Sequence, residues 1–156
     1  MMSGQETTRN TTVYTDGACI GNPGSGGWAW VISETVHDCG SESVTTNQRM
    51  ELFAVLMAVN ALSGPLVVVS DSAYVVNCFK DGWWVKWRAN NWRNSKGEPV
   101  ANRDLWEPLL IRTIDERQNE ISFRWVKGHA GNTFNELADS LANKAARDIM
   151  AREGKK

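Results

Sequence analysis

Two short segments near the amino terminus are predicted as strands, Thr12 to Thr15, which alternates between polar and apolar residues, and Trp28 to Ile32, which is apolar throughout. Alternation and short apolar runs bounded by turn residues are both typical of strands. The glycine-rich stretch between them contains Gly21-Asn22-Pro23-Gly24, which is a strong turn signal. We therefore predict that the first strand stops at Asp16 and that the two strands are antiparallel neighbours. A third strand is predicted at Cys39 to Val44, where the alternation is weaker.

A long apolar stretch marks the next two elements. Leu52 to Val59 is apolar on nearly every face, which predicts a helix enclosed within the fold, from an N-cap at Asn47 to about Leu62. Leu66 to Val69 is a continuous apolar run, typical of a central strand covered on both faces. The order strand, long helix, strand predicts a right-handed crossover between parallel strands.

The remaining sequence predicts three more helices and one strand. A short helix starts at Ser72, and Asn102 caps a helix to about Arg117. Ile121 to Val126 alternates as the last strand, and Thr133 with Glu136 forms a capping box at the start of the final helix. Together these elements predict an α/β fold, with a five-stranded mixed sheet, three strands antiparallel, and helices on both faces.

The chain length of 156 residues corresponds to one domain of ordinary size. We predict a single domain over 12–152, between a flexible amino-terminal tail, 1–11, and a short carboxyl-terminal tail, 153–156. Apolar residues make up 42% of the chain and charged residues 22%, values that exclude a disordered, collagen-like or coiled-coil protein.

The amino terminus is polar, and the longest apolar run is far shorter than the roughly 20 residues that span a bilayer. The sequence therefore predicts neither export nor a membrane partner. The three cysteines have no CxxC spacing, which argues against a disulfide framework or a zinc site and favours a reducing compartment. We expect a cytoplasmic monomer.

The charge of the chain is unevenly distributed. The formal net charge of -1 gives no reason by itself to expect a polyanionic partner. Residues 80–103, here called the handle region, nevertheless combine six basic and two acidic residues with four of the eight tryptophans. Cations that displace counterions and rings that pack on sugars or bases suit a nucleic-acid backbone. The alternative for Trp84 and Trp87 is a place in the core.

Four carboxylates are candidates for one site. Asp16 and Asp71 both follow an apolar strand, at the edge of the sheet where ligands bind in open α/β folds. Glu51 lies in the first turn of the long helix, and Asp139 lies beside the apolar stripe of the last helix. If they converge, their repulsion requires cations, and such hard oxygen ligands select Mg²⁺ or Mn²⁺. Taken singly, a carboxylate at such a position is more often a turn former, a cap or a complement to a helix dipole than a catalytic group.

The sequence around each carboxylate carries a resemblance. The segments TDGACIGNPGSGG, NQRMEL, SDSAYV and WVKGHAGNTFNELADSLA occur in this order and together resemble bacterial-type ribonuclease HI over residues 12 to 147. The resemblance implies the RNase H-like fold. It also implies an endoribonuclease that hydrolyses the RNA strand of RNA/DNA hybrids with two Mg²⁺ or Mn²⁺ ions per active site and leaves 5′-phosphate and 3′-hydroxyl ends.

The resemblance also assigns roles to single residues. Asp16, Glu51, Asp71 and Asp139 become metal ligands, and His129 becomes an assisting group on a mobile loop, because a neutral imidazole can move a proton near pH 7. The implied contacts to the RNA strand, which must sense the 2′-hydroxyl, are Gly17, Cys19, Asn22, Asn47 and Gln48. The implied contacts to the DNA strand are Trp83, Lys86, Arg88 and Trp92, and those to a DNA phosphate are Thr46 and Asn102.

Three positions depart from the family's usual pattern. Ala73 stands where the best-known bacterial members carry a Gln that contacts the hybrid, and Gln48 replaces a familiar Asn. The loop after His129 reads Asn132-Thr133-Phe134 in place of the more usual His-Pro-Glu type. Two other functions stay open at this point, a non-catalytic hybrid-binding module and a different metal nuclease of the wider fold group, such as a junction resolvase or a transposase core.

Overall fold

The computed structural model describes residues 10–128 and 131–154. Its five strands form one mixed sheet in the order β3-β2-β1-β4-β5. The strands β1, β2 and β3 are antiparallel neighbours, whereas β4 pairs in parallel with β1 and β5 in parallel with β4. The predicted mixed sheet is therefore confirmed. The strand bounds are β1 Thr11–Ile20, β2 Gly24–Val31, β3 His37–Thr45, β4 Leu66–Ser70 and β5 Ile121–Trp125.

Within the described residues, five α-helices and one π-helix connect or follow the strands. Helix α1 is the long crossover between β3 and β4, and helices α2 and α3 follow β4. No helix in the described part of the chain is long and apolar enough to span a bilayer. The helix bounds are α1 Asn47–Ala61, α2 Ala73–Asp81, α3 Trp83–Ala89, α4 Arg103–Leu110, the π-helix Ile111–Glu116 and α5 Thr133–Glu153.

Successive side chains of β2 point to opposite faces of the sheet, as strand geometry requires. Trp28 and Trp30 belong to the main core, which α1 shares. Ala29 lies on the other face, in a small cluster with Ala142 of α5. Gly27 lets α5 approach this face, since a Cβ atom there would lie 2.1 Å from the carbonyl oxygen of Ala142. Helices therefore cover both faces, as predicted.

The structure corrects the first hairpin. Strand β1 does not stop at Asp16 but continues to Ile20, and β2 begins at Gly24, so that the turn is confined to Gly21, Asn22 and Pro23. Glycines are poor strand formers in isolation. Here the glycine-rich stretch is held in the sheet by cross-strand pairing, with Asp16 opposite Ala29. Asp16 consequently lies within a strand rather than after it.

Two helix caps lie one residue before the predicted positions. Thr46, and not Asn47, is the N-cap of α1, and its side chain accepts a hydrogen bond from the N–H of Arg49. Asn132, and not Thr133, is the N-cap of α5. The predicted helix from Asn102 to Arg117 is divided into α4 and the π-helix. Pro108 lies inside α4, where it removes a backbone donor from the regular hydrogen-bond pattern.

A buried arginine anchors the carboxyl-terminal end of α1. The guanidinium of Arg117 donates to the carbonyl oxygens of Val59 and Leu62 at 2.7 and 2.9 Å and to that of Gly64 at 2.5 Å. Only 7% of Arg117 is exposed. Because the last carbonyls of a helix have no partner within it, Arg117 satisfies groups that would otherwise lose their hydrogen bonds on folding.

Candidate active site

The sheet register places two aspartates side by side. Thr15 of β1 pairs with Ser70 of β4 in the parallel ladder. The residue that follows each of them is an aspartate, Asp16 on β1 and Asp71 immediately after β4. The two strands run in the same direction, so both carboxylates lie at the carboxyl-terminal end of β4, the expected ligand-binding edge of such a sheet.

Gly17 brings the third carboxylate to this edge. A Cβ atom at Gly17 would lie 2.4 Å from the backbone N of Glu51 and 2.4 Å from the carbonyl carbon of Met50. Only glycine therefore lets the first turn of α1 pack directly on β1. The Gly17 N–H donates to Oδ1 of Asp16 and to Oε1 of Glu51, each at 2.9 Å. One backbone group thus holds two carboxylates.

Three carboxylates, Asp16, Glu51 and Asp71, each offer one oxygen that lies within 4.8 Å of those of the other two. Asp139 of α5 lines the same cavity, which has a volume of about 390 Å³. The side chain of Asn143, one helical turn later, donates to Oδ1 of Asp139 at 3.1 Å. The other residues that line the cavity are Gly17, Ala18, Cys19, Asn47 and Asn143.

Burial makes this cluster electrostatically unfavourable without a cation. Asp16 and Glu51 are 3% and 8% exposed. Burial, and after it the repulsion from Glu51 and Asp71, raises the pKa of Asp16 far above its usual range. Burial, followed by repulsion from Asp71, likewise raises the pKa of Glu51. No lysine or arginine is among the described residues that line the cavity. An all-oxygen set of this charge fits Mg²⁺ or Mn²⁺.

Several predicted RNA contacts lie beside the carboxylates. Cys19 and Asn47 line the cavity itself. The Asn22 side chain accepts a hydrogen bond from the N–H of Asn47 at 2.9 Å, which ties the β1–β2 turn to the start of α1. Gln48 is exposed on the same first turn. The structure therefore gathers Gly17 and these four residues at one edge of the sheet.

The loop after β5 also reaches this edge. Gly128 lies so close to the Asp71 side chain that a Cβ atom there would be 2.9 Å from Oδ2 of Asp71. The indole N–H of Trp125 donates to the backbone oxygen of Asp71 at 3.1 Å. His129, the predicted assisting group, lies outside the described residues, as does most of the predicted amino-terminal tail.

The handle region divides into buried and accessible rings. Trp92 is only 7% exposed and belongs to the main core, where its ring lies 5.9 Å from that of Trp87. The burial of Trp92 leaves little of its ring surface open to the nucleic-acid contact predicted there. The backbone at Asn91 and Trp92 has positive φ angles, 54° and 59°. Trp83 stays partly exposed.

The two predicted cations of the handle differ in their partners. Lys86 is exposed and lines a surface cavity of about 630 Å³ together with Trp83 and Arg93. Arg88 instead makes a bidentate ion pair with Asp115, with both hydrogen bonds 2.9 Å long. Arg88 thus joins the handle to the π-helix, which leaves Lys86 as the less constrained charge.

Thr46 and Asn102 are linked through Arg49. Thr46 caps α1 by accepting from the N–H of Arg49, and Nη1 of Arg49 donates to Oδ1 of Asn102 at 3.3 Å. Arg49 also forms a bidentate pair with Asp104, at 2.9 and 2.7 Å, and this hydrogen-bonded pair lowers the pKa of Asp104. The two predicted phosphate contacts therefore belong to one hydrogen-bonded network.

Sequence reasoning missed two residues of the site. Asn143 follows Asp139 by four positions, a spacing that places both side chains on one helix face and could have indicated the contact. Tyr74, which bonds to Asn102, carries no such signal because the two residues lie on different elements 28 positions apart.

Comparison with known proteins agrees with this geometry. The RNase H family model matches residues 8–147. The chain is 46% identical over 143 residues to the ribonuclease H of Syntrophomonas wolfei, which covers 88% of this chain and 96% of that protein. It is 50% identical over 135 residues to the ribonuclease H of a Thermoanaerobacter species, covering 83% and 85%.

A solved structure supports the same fold. The crystal structure of LC9-RNase H1, described as a type 1 RNase H with the type 2 active-site motif, superposes with a TM-score of 0.71 at 30% sequence identity. The alignment covers 88% of this chain and 72% of that one.

Proposed function

Because the chain belongs to the RNase H family, and is thus a nuclease, we propose that it hydrolyses the RNA strand of RNA/DNA hybrids and leaves 5′-phosphate and 3′-hydroxyl ends. The observation that carries the proposal is the convergence of Asp16, Glu51 and Asp71, which each place one carboxylate oxygen within 4.8 Å of those of the other two. Asp139 completes the acidic lining of the cavity.

Asp16, Glu51, Asp71 and Asp139 would hold two Mg²⁺ ions, with Mn²⁺ as the alternative. The chemistry that such a pair of ions supplies when bound is activation of a water for in-line attack and stabilisation of the leaving 3′-oxygen. The requirement for cations is supported by the raised pKa values of Asp16 and Glu51, because charge neutralisation offsets the burial and repulsion that raise them.

The residues beside the carboxylates would select RNA. Recognition of the 2′-hydroxyl needs short polar groups and accessible backbone next to the scissile phosphate. Gly17, Cys19, Asn22 and Asn47 meet this description at the cavity edge, and the longer amide of Gln48 extends the same surface. His129 would transfer a proton or assist product release.

The other strand would bind along the handle region and the Arg49 network. Trp83 and Lys86 present an aromatic and cationic surface suited to a DNA backbone. Thr46 and Asn102 would hold a DNA phosphate. Arg88 contributes by fixing the handle to Asp115.

The cellular setting is a further part of the proposal. We assign the protein to the cytoplasm as a monomer that clears RNA from hybrids during replication and repair. The three free cysteines, Cys19, Cys39 and Cys78, are consistent with a reducing compartment.

The test compares four substrates in Mg²⁺: a labelled RNA/DNA hybrid, single-stranded RNA, duplex RNA and duplex DNA. We expect cleavage of the RNA strand of the hybrid alone, with product ends that a polymerase can extend. Asp139→Asn should lower the rate by at least about 100-fold, whereas Asp148→Asn, on the surface of the same helix, should retain it. Cleavage of duplex DNA with the hybrid left intact would favour a resolvase-like or transposase-like nuclease, and hybrid binding without cleavage would favour a non-catalytic module.

A further inference from the structure

The side chain of Asn102 does not form the hydrogen bond that an asparagine at the start of a helix usually forms. Asn102 is the N-cap of α4, where Asn normally accepts a hydrogen bond from the helix backbone. Here its side chain makes no cap hydrogen bond, and its φ angle of 63° lies in the left-handed region. The side-chain amide therefore makes no hydrogen bond to the helix backbone and can bond to other groups.

Two neighbours fix the orientation of this amide. Oδ1 of Asn102 accepts from Nη1 of Arg49 at 3.3 Å, and Nδ2 donates to the phenol oxygen of Tyr74 at 3.2 Å. Arg49 can only donate. The carbonyl of the amide must therefore face Arg49 and its NH₂ group must face Tyr74, which leaves the second N–H of Nδ2 for another acceptor.

Tyr74 is itself firmly held. Its oxygen also accepts from the indole N–H of Trp106 at 2.8 Å, and the two rings meet edge to face with centroids 5.5 Å apart. Trp106 is fully buried. A phenol oxygen that accepts two N–H donors has both of its lone pairs occupied, so the Tyr74 oxygen is a fixed acceptor and not a freely rotating one.

We propose that Tyr74 is a positioning residue for hybrid binding, which holds the Asn102 amide so that its free N–H is directed to a backbone phosphate of the substrate. The inference rests on the proposed function, in which Asn102 contacts a DNA phosphate. Tyr74 directly follows Ala73 at the start of α2, close in sequence to Asp71. The same short segment thus supplies a metal ligand and the support for a phosphate contact.

Loss of the Tyr74 hydroxyl should weaken substrate binding and leave the chemical step unchanged. Tyr74→Phe removes the acceptor while the ring stays, so the Asn102 amide loses one of its two restraints. We expect KM for the hybrid to rise about three- to tenfold and kcat to stay within about twofold, as for an interaction made equally in the ground and transition states. Asn102→Ala should raise KM by at least as much.

The experiment is a double-mutant cycle of Tyr74→Phe and Asn102→Ala, read out by KM and kcat in Mg²⁺ and by fluorescence anisotropy of a labelled hybrid in EDTA. If Tyr74 acts through Asn102, the double variant binds the hybrid no more weakly than Asn102→Ala alone. Trp106→Phe is the control for lost core stability, because it removes the other donor to Tyr74 and keeps the bond to Asn102. It should lower the melting temperature and raise KM for the hybrid less than Tyr74→Phe does, because the hydrogen bond from Asn102 to Tyr74 remains.

Three results would overturn the inference: an unchanged KM in Tyr74→Phe, independent multiplying effects in the double variant, or a rise in KM for Trp106→Phe equal to that for Tyr74→Phe. Failure of the proposed function is a separate result. The unmodified chain would then leave the hybrid uncleaved, and the anisotropy series in EDTA would still decide the role of Tyr74.

Discussion

Replacement of Asp16 by Asn should make the metal-free protein more stable at neutral pH, although it removes a residue of the proposed catalytic site. Asp16 is 3% exposed and has Glu51 and Asp71 as carboxylate neighbours within 4.8 Å. Burial, followed by this repulsion, raises its pKa in the folded state. Asn has nearly the same shape and no charge, so the substitution removes the electrostatic cost and keeps the packing.

The size of the effect follows from proton linkage. Below about pH 4 the Asp16 carboxyl is protonated in both the folded and the unfolded chain. As the pH rises further, the unfolded chain releases this proton while the folded site retains it, so the metal-free protein loses about 1.4 kcal/mol per pH unit until the folded group also ionises. Between pH 5 and pH 7 the free energy of unfolding should fall by up to about 2.7 kcal/mol from this group. The Asp16→Asn variant lacks this loss.

Urea unfolding in EDTA at pH 5 and pH 7 measures this difference directly. We expect the variant to gain stability relative to the unmodified protein by up to about 2.7 kcal/mol as the pH rises from 5 to 7. Mg²⁺ should stabilise the unmodified protein more than the variant, because the proposed ions would bind the folded site with all four of its carboxylates. A variant that is less stable at pH 7 in EDTA, or that has the same pH dependence as the unmodified chain, would refute this reasoning.

Three further predictions concern other parts of the molecule. Gly17→Ala places a Cβ atom 2.4 Å from backbone atoms of α1. We expect urea unfolding to show about 1–3 kcal/mol of destabilisation and the cleavage rate to fall about 100-fold. Full activity in this variant would contradict the close approach of α1 to β1. Arg117→Met leaves the carbonyls at the end of α1 without their donor. It should lower the free energy of unfolding by about 3 kcal/mol and leave kcat unchanged at low temperature. A loss below about 1 kcal/mol would argue against a stabilising role of the Arg117 hydrogen bonds. Lys86→Ala should reduce the slope of log affinity for the hybrid against log salt by about 1. Arg88→Ala should reduce this slope less, because Arg88 is paired with Asp115. Equal slopes in the two variants would contradict the proposal that Lys86 contacts the DNA backbone more directly than Arg88.

Much of the fold was predictable because its elements carry strong local patterns. The apolar run of α1 and the buried strand β4 appear in the structure close to their predicted bounds. The first hairpin was not predictable in the same way, since Asp16 to Ile20 is held in the sheet by pairing with β2. Local glycine content points to a turn there, and only the tertiary contacts of α1 and α5 explain why the glycines are needed.

The candidate site was likewise predictable only in part. The four carboxylates could be identified from their sequence contexts, and the structure brings Asp16, Glu51 and Asp71 together with Asp139 around one cavity. The handle region was harder to predict, because composition does not reveal which tryptophans face inward. Trp92 is buried, and Arg88 is engaged with Asp115, and both facts depend on long-range packing.

The proposed metal-dependent active site is tested by the Mg²⁺ dependence of RNA-strand cleavage in a labelled RNA/DNA hybrid, measured for the unmodified chain and for Asp71→Asn. We expect cleavage that rises with Mg²⁺, stops in EDTA, and falls by at least about 100-fold in the folded variant. Cleavage that persists in EDTA, or an Asp71→Asn variant that cuts at the unmodified rate, would contradict a metal-dependent site built on these carboxylates.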